Sequence, residues 1–542
     1  MPPYEAPANQ FPVNHSPLNQ ASANEDAGTS TVPSDPVRSA RWLTLAVCLM
    51  AGTALRLAYL ASKPFWFDEC FSVELVRIDW RNFLHLLWWR EANMSLYYLL
   101  LRAWLGITPI YGQSEFFIRS LSVAIAVATL PAIYWIARLL YDRRVALITA
   151  ALFSANAYSV RYAQEARSYS LFLLLATVSS GFLIAWIRKP VRRNLACYVL
   201  ASILAVYAHF YALLLVVAHW IVLRSFGRPD LGPGFDGTTL AAQMRHTWKI
   251  IGIAVLPLLV FVAKTGAGPI RWISRPGPHD MLEFFEHLSG SNSWPLLAIY
   301  ALACIMALVQ PGIKFWKRDQ TWEAWRTRFL FVWLIFPVAL TVLLSVIRPV
   351  FLDRYMIFCL PPLLILAAAG LSRLRQSWML AAALTLMLFL SLQGVSYIYG
   401  HDFDSERDGS AAAANFILDH MQAGDGVIFH IAEARVPYEF FRSVRAGENT
   451  AIPAFSRSLG PEILFPRHGL GLDYRDFTGK PTADFLRSAA LSHQRLWIFL
   501  IDNGPPGNPD PTTMMLTQTL PELIPNLQRW QFPRVEVRLY SK

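Results

Sequence analysis

Long apolar runs separated by short polar connections fill the first 400 residues. Runs at 42–61, 116–140, 145–162, 169–187, 195–208, 212–223, 249–263, 294–309, 329–347, 355–371 and 378–399 approach the length of about 20 residues that an α-helix needs to cross a bilayer. The pattern predicts a polytopic α-helical membrane protein with about 11 transmembrane helices. The first run is too long, and follows too long a polar stretch, for a cleaved signal peptide. The stretch 195–223 is read as two helices broken at His209-Phe210-Tyr211, because one unbroken helix would invert every later connection.

Before the first run, residues 1–40 are rich in Pro, Asn, Ser and Ala without an apolar period; such a segment buries too little surface to offset ordering entropy and is expected to be a disordered tail. After Gly400 the pattern changes again. Short apolar runs such as 427–431 and 496–501 alternate with helical patterns such as 411–421, which predicts a small soluble α/β domain over 401–542. That domain contains no GxGxxG, P-loop, HExxH or GxSxG motif, so a structural cap and a regulatory or acceptor-binding role both stay open.

Charge fixes the expected orientation. Arg38/Arg41, Arg143/Arg144, Arg188/Lys189/Arg192/Arg193, Arg224/Arg228/Arg245/Lys249, Lys314/Lys317/Arg318/Arg326/Arg328 and Arg373/Arg375 fall on alternate connections, which the positive-inside rule places in the cytoplasm. The loop 62–115, the turns near Gln164 and Phe210, the loops 264–292 and 348–354, and everything after Gly400 then lie outside. The transmembrane domain is thus expected over 41–400, with a cytoplasmic N-terminus and an extracytoplasmic C-terminus. A reporter fused after Gly400 is expected to behave as extracytoplasmic and one fused near Arg192 as cytoplasmic; the same side for both would remove the common face.

Composition narrows the class. A chain with 54% hydrophobic and only 16% charged residues is too apolar for an ordinary soluble enzyme. Its net charge of +11 sits in the connection clusters, so nucleic acid is not the expected partner. Four of the five cysteines, Cys48, Cys197, Cys304 and Cys359, lie in apolar runs and only Cys70 in a polar loop; no disulfide framework or cysteine zinc site follows. No His/Asp/Glu spacing compels a metal, and no metal ligands are assigned.

Candidate chemistry gathers on the predicted outer face. Pro64-Phe65-Trp66-Phe67-Asp68-Glu69-Cys70 sets two adjacent carboxylates among aromatics. Either the pair is a solvated interfacial loop, or a carboxylate beside apolar surface has its charged form destabilised and its strength as a general base raised. The stretches 73–89 and 94–100 are read as interfacial helices lying over a cavity. Tyr162-Ala163-Gln164-Glu165-Ala166-Arg167-Ser168-Tyr169 places charges at membrane depth, where each costs roughly 2.5–3.5 kcal/mol unless paired or hydrated. Arg161 and Glu165 could simply pair, or the cluster lines a polar active site. Arg354-Tyr355 offers either a guanidinium fork for phosphate or an interfacial anchor, and His209 with Tyr211 is either a satisfied helix break or a further contact to substrate.

In combination these pieces resemble the GT-C type integral-membrane glycosyltransferases, in the branch of protein O-mannosyltransferases and the bacterial lipid A aminoarabinose transferase. The resemblance covers residues 41–400 and rests on Asp68-Glu69, on 94–100, on Ser114-Glu115-Phe116-Phe117-Ile118-Arg119, on Gln164 to Tyr169 and on Arg354-Tyr355. It departs from the family where Met94-Ser95 replaces a Pro-Pro pair with no Lys or His directly before it. The resemblance implies a polyprenyl-phosphate sugar donor, an extracytoplasmic site, inversion at the anomeric carbon, and Asp68 or its neighbour Glu69 as base. Gln164, Glu165, Arg167, Tyr169, His209, Tyr211, Arg354 and Tyr355 are then substrate-binding candidates. The acceptor would be an envelope lipid, glycan or protein, the setting a bacterial inner membrane, and a divalent metal an open cofactor. A transporter or flippase is the alternative, but it should show inverted repeats and discontinuous helices near the midplane. A non-catalytic scaffold would leave Asp68-Glu69 and Arg167 unexplained.

Overall fold

The computed structural model describes residues 36–89, 91–107, 114–226, 229, 237–265, 273–290, 293–316, 321–401, 409–431, 434–446, 461–465, 481–501 and 511–542. Of the tail expected over 1–40, residues 1–35 lie outside them, as do the basic residues Arg228, Lys317 and Arg318, whereas 36–40 are not tail but open the first helix. Residues 1–43 and 44–542 form separate units, and the second holds every element beyond the start of the first helix.

Each predicted apolar run falls largely in helix, although the first leaves it at Leu57 and 145–162 is broken at Asn156. The order is α1 (Pro36–Leu57), then three short helices α2 (Phe67–Arg77), α3 (Trp80–Trp89) and α4 (Ser95–Ile107). A bundle follows, of α5 (Glu115–Leu140), α6 (Arg143–Ala155), α7 (Ala157–Ala163), α8 (Tyr169–Arg188), α9 (Arg192–Ala208), α10 (Ala212–Phe226) and α11 (Gly237–Thr265). It continues with α12 (Pro278–Ser289), α13 (Trp294–Trp316), α14 (Trp322–Ile347), a 3-10 helix over Asp353–Cys359 running into α15 (Leu360–Leu371), and α16 (Ser377–Gly400). Among the described residues 6 helices are long and apolar enough to cross a membrane, or 7 if α12 and α13 are one broken span. The chain is an integral membrane protein. The larger number expected from hydropathy includes helices shorter than a full span, among them α9 and α10.

The breaks have local causes. The Asn156 side chain accepts from Ser159 N at 2.9 Å and caps α7, ending α6 one residue earlier. The carbonyls freed at the end of α6 are taken by Arg56: its guanidinium donates to Phe153 O and Ser154 O at 3.2 Å and to Ser159 Oγ at 2.6 Å. A buried cation thus sits at the negative end of a helix. At the predicted 209–211 break, α9 ends at Ala208 and α10 begins at Ala212. α15 is buried on every residue, and Gly370 permits its crossing with α13, since a Cβ there would fall 1.8 Å from Ala303 O.

The stretch expected as one helix over 73–89 is two, α2 and α3. Arg102 of α4 donates to Val76 O and Ile78 O at 2.7 and 2.6 Å and lies over the Trp80 ring, which pins the elbow. α3 buries Phe83, Leu86 and Leu87 and exposes Trp80, Leu84, Trp88 and Trp89, the pattern of a helix lying on an apolar interface.

The terminal segment holds a five-stranded sheet. Its strands are β1 (Gly426–Phe429), β2 (Glu462–Phe465), β3 (Arg495–Ile501), β4 (Asn526–Phe532) and β5 (Val535–Ser541), in the order β2-β1-β3-β5-β4. β2, β1 and β3 are parallel, whereas β5 runs antiparallel to both β3 and β4. Strand alternation sends Leu496, Ile498 and Leu500 to α19 (Ala483–Ser492) and α20 (Pro511–Leu523), and Trp497 and Phe499 to the opposite face. On that face lie α17 (Ser410–His420) and α18 (Arg435–Ala446). α18 packs on α2, with Phe440 5.3 Å from Phe65 between ring centroids and Arg77 over the Phe440 ring at 5.6 Å.

Candidate functional site

Asp68 and Glu69 open α2, but successive helical residues point about 100° apart, and the two carboxylates face different surroundings. Glu69 is fully buried. Arg119 of α5 grips it bidentately, Nε to Oε1 at 2.8 Å and the second nitrogen to Oε2 at 2.7 Å, and Ala166 N donates to Oε1 at 2.9 Å. The same guanidinium donates to Leu60 O, Lys63 O and Pro64 O. Glu69 and Arg119 therefore lash together the 60–69 segment, α5 and the 164–168 turn. Asp68 remains part-exposed, its side chain at 19%, and faces Arg167 with a carboxylate-to-guanidinium distance of 3.6 Å.

The 164–168 turn joins α7 to α8 and presents Arg167. Gln164 does not face the same space; its amide donates to Arg56 O and Ala58 O, tying the turn to the end of α1. Glu165 is buried with Arg161 Nε at 3.9 Å, the i,i+4 pair open to it from sequence. Arg167 reaches the Ser72 hydroxyl and the Tyr98 phenol at 3.3 Å each. Burial pulls this guanidinium's affinity for its proton down, but Asp68 and the phenols of Tyr98, Tyr169 and Tyr355 outweigh it and hold the group well above its ordinary range.

Arg354 enters from the 3-10 helix and lies over the ring of Trp66 at 5.6 Å, a residue two positions before Asp68. Asp353 turns the other way, to His287 Nδ1 of α12 at 3.3 Å, while its carbonyl accepts from the Tyr158 phenol at 2.6 Å. Tyr355 packs against His209 and Tyr211 at 4.7 and 5.1 Å between centroids. The Tyr211 hydroxyl donates to Val350 O, which fastens the 348–354 loop to the start of α10.

Asp68, Arg167, Tyr169, His209, Arg354 and Tyr355 thus meet at one end of the bundle, whereas Glu69, Gln164 and Glu165 form its frame. Trp66 Nε1, Ser168 Oγ, Tyr169 Oη and His209 Nε2 are buried there with no hydrogen-bond partner among the described residues. Buried polar atoms left unsatisfied are costly, so these four carry hydrogen-bonding capacity that the described residues do not meet. No group of three or more His, Cys, Asp or Glu side chains among the described residues could hold a metal ion. Sequence reasoning gave no role to Arg56, Arg119, Tyr98 or His287. The signal for the two arginines was a guanidinium inside an apolar run, which requires a partner at membrane depth, and Arg119 also closed the 114–119 motif.

No protein-family model matches the chain, and no curated protein matches it. Solved structures do. The chain superposes on ArnT from Cupriavidus metallidurans in the apo state with a TM-score of 0.59 at 12% identity, covering 93% of this chain and 98% of that one. The same protein bound to undecaprenyl phosphate gives 0.52 at 13% identity, covering 92% and 98%. The oligosaccharyltransferase of Archaeoglobus fulgidus, tethered to an acceptor peptide, gives 0.50 at 12% identity over 85% of this chain and 69% of that one. With coverage of ArnT this complete, including the terminal segment, the chain has the fold of the GT-C glycosyltransferases.

Proposed function

We propose that the chain is a membrane glycosyltransferase that moves a sugar from a polyprenyl-phosphate donor to an acceptor hydroxyl on the extracytoplasmic face, with inversion. The observation that carries this reading is one part-exposed carboxylate, Asp68, that faces Arg167 at 3.6 Å and lies in the electrostatic field of a second largely enclosed arginine, Arg354, close to buried polar atoms without partners among the described residues. Asp68 takes the proton of the acceptor hydroxyl as its oxygen bonds to the anomeric carbon. The bond from that carbon to the phosphate oxygen breaks on the opposite side, and its electron pair leaves with the lipid phosphate. That leaving group needs no strong acid, only compensation of its charge, which the two guanidiniums supply. The complex of ArnT with undecaprenyl phosphate supports a lipid-phosphate donor of this class. The setting is a bacterial inner membrane, and the acceptor an envelope lipid, glycan or protein.

Release of undecaprenyl phosphate from undecaprenyl-phosphate sugars by the purified full chain, with envelope lipids, glycans and proteins offered as acceptors, tests the reaction. Arg354→Lys keeps the charge but loses the planar fork, so kcat/KM for the donor is expected to fall on the order of tenfold. Arg354→Ala is expected to cost roughly a hundredfold or more. An anchoring arginine would be replaced by lysine without loss, since both side chains snorkel; full activity of Arg354→Lys would pass the phosphate role to Arg167. Sugar-lipid moved across the bilayer without release of the lipid phosphate would favour the flippase.

A further inference from the structure

His209 sits in the short connection between α9 and α10, 1% exposed, with its ring parallel to Phe172 at 5.0 Å and flanked by Tyr355 at 4.7 Å and Tyr169 at 6.4 Å. The backbone N–H of Tyr211 donates to its Nδ1 at 3.3 Å. A nitrogen that accepts carries no proton, so the neutral imidazole must hold its single proton on Nε2. Burial, with Arg167 and Arg354 adding to it, pushes the imidazole down to about 3, which favours the same neutral form as the Nδ1 contact does. The Nε2–H is then a donor inside a closed aromatic wall with no acceptor among the described residues, next to a Tyr169 hydroxyl in the same condition.

We infer that His209 Nε2–H and the Tyr169 hydroxyl bind ring hydroxyls of an uncharged donor sugar, which lies against the aromatic wall of Phe172, His209 and Tyr355. This inference rests on the glycosyltransferase reading above and specifies its donor subsite. An anion is the wrong partner for this corner. The guanidiniums of Arg167 and Arg354 supply the charge for phosphate, and a phosphate set directly on the imidazole would favour protonation of a ring whose Nδ1 already accepts a hydrogen bond. A sugar hydroxyl accepts from Nε2–H without any change of charge, and it can both donate to and accept from a phenol. Its ring is the group joined directly to the phosphate that the arginines hold. An apolar and aromatic pocket with a few placed polar groups is the usual form of such a site.

The probes are undecaprenyl phosphate itself and undecaprenyl phosphate carrying mannose, glucose or arabinofuranose, bound to the purified full chain in detergent and followed by native mass spectrometry. The parent is expected to bind at least one of the sugar-lipids more tightly than the bare lipid. His209→Phe keeps a ring in the stack but removes the donor; it should erase about tenfold of that increment and leave bare lipid binding unchanged. His209→Gln returns an N–H near the position of Nε2 and should restore most of it. Should the Phe variant not fold, donors lacking one hydroxyl at a time decide the matter on the parent chain, where one deletion is expected to cost about tenfold. Equal weakening of bare and glycosylated lipid by His209→Phe, no weakening of either, or no hydroxyl whose removal matters would overturn the subsite. A parent chain that fails to bind bare undecaprenyl phosphate would overturn the donor reading beneath it.

Discussion

Asp68→Asn is expected to abolish sugar transfer while membrane insertion, abundance and thermal stability stay near those of the parent chain. The swap keeps the size and hydrogen-bonding capacity of the side chain and removes only its ability to take a proton, a contribution on the order of 10²–10⁴ in rate. Its setting favours a clean result. The side chain is part-exposed, makes an ion pair at 3.6 Å with Arg167 and carries none of the frame. Donor binding should survive, because the arginines that hold the phosphate are untouched, so the loss should fall on kcat. Transfer by Asp68→Asn at the parent rate would remove Asp68 from the mechanism.

The second large effect belongs to the neighbouring pair and has a different character. Glu69→Gln and Arg119→Ala are each expected to lower the thermal midpoint of the purified chain sharply, since breaking a buried ion pair from one side costs about 3–5 kcal/mol. A glutamine amide would turn an N–H toward a guanidinium that has only donors, and Arg119→Ala would also release Leu60 O, Lys63 O and Pro64 O. Removing both partners should cost less than the sum of the two single losses, the mark of direct coupling. If Glu69 were instead the base, Glu69→Gln would melt like the parent and fail only in transfer.

That contrast shows where the sequence runs out. The eleven apolar runs, the break at His209-Phe210-Tyr211 and the small terminal α/β segment were legible, because hydropathy and strand alternation act over many residues at once. The division of labour between Asp68 and Glu69 was not. Adjacent carboxylates look equivalent until a helix turns one toward α5 and the other toward Arg167. The pairing of Arg119 with Glu69 spans 50 positions; the two stood in separate motifs of the resemblance, with nothing to join them but an arginine inside an apolar run. The division of 145–162 into α6 and α7 was hidden for a related reason. Asn156 inside an apolar stretch reads as a tolerated polar residue, and only the Ser159 N–H that it caps and the Arg56 that meets the freed carbonyls make it a boundary. Gln164 and Glu165 share a motif with Arg167, but on a tight turn neighbouring side chains diverge.

The packing of Phe440 against Phe65 has an evolutionary consequence. The segment that bears Asp68 is held from the bundle by Arg119 and from the terminal segment by α18, so neither surface can drift freely without moving the carboxylate between them. The other face of the sheet, where Leu486, Leu496, Ile498 and Leu516 pack among themselves, answers only to its own core. Lineages of this fold can therefore be expected to diverge quickly on that far layer and slowly along α18, so that one layer of the terminal sheet inherits the constraints of the Asp68 segment while the other does not.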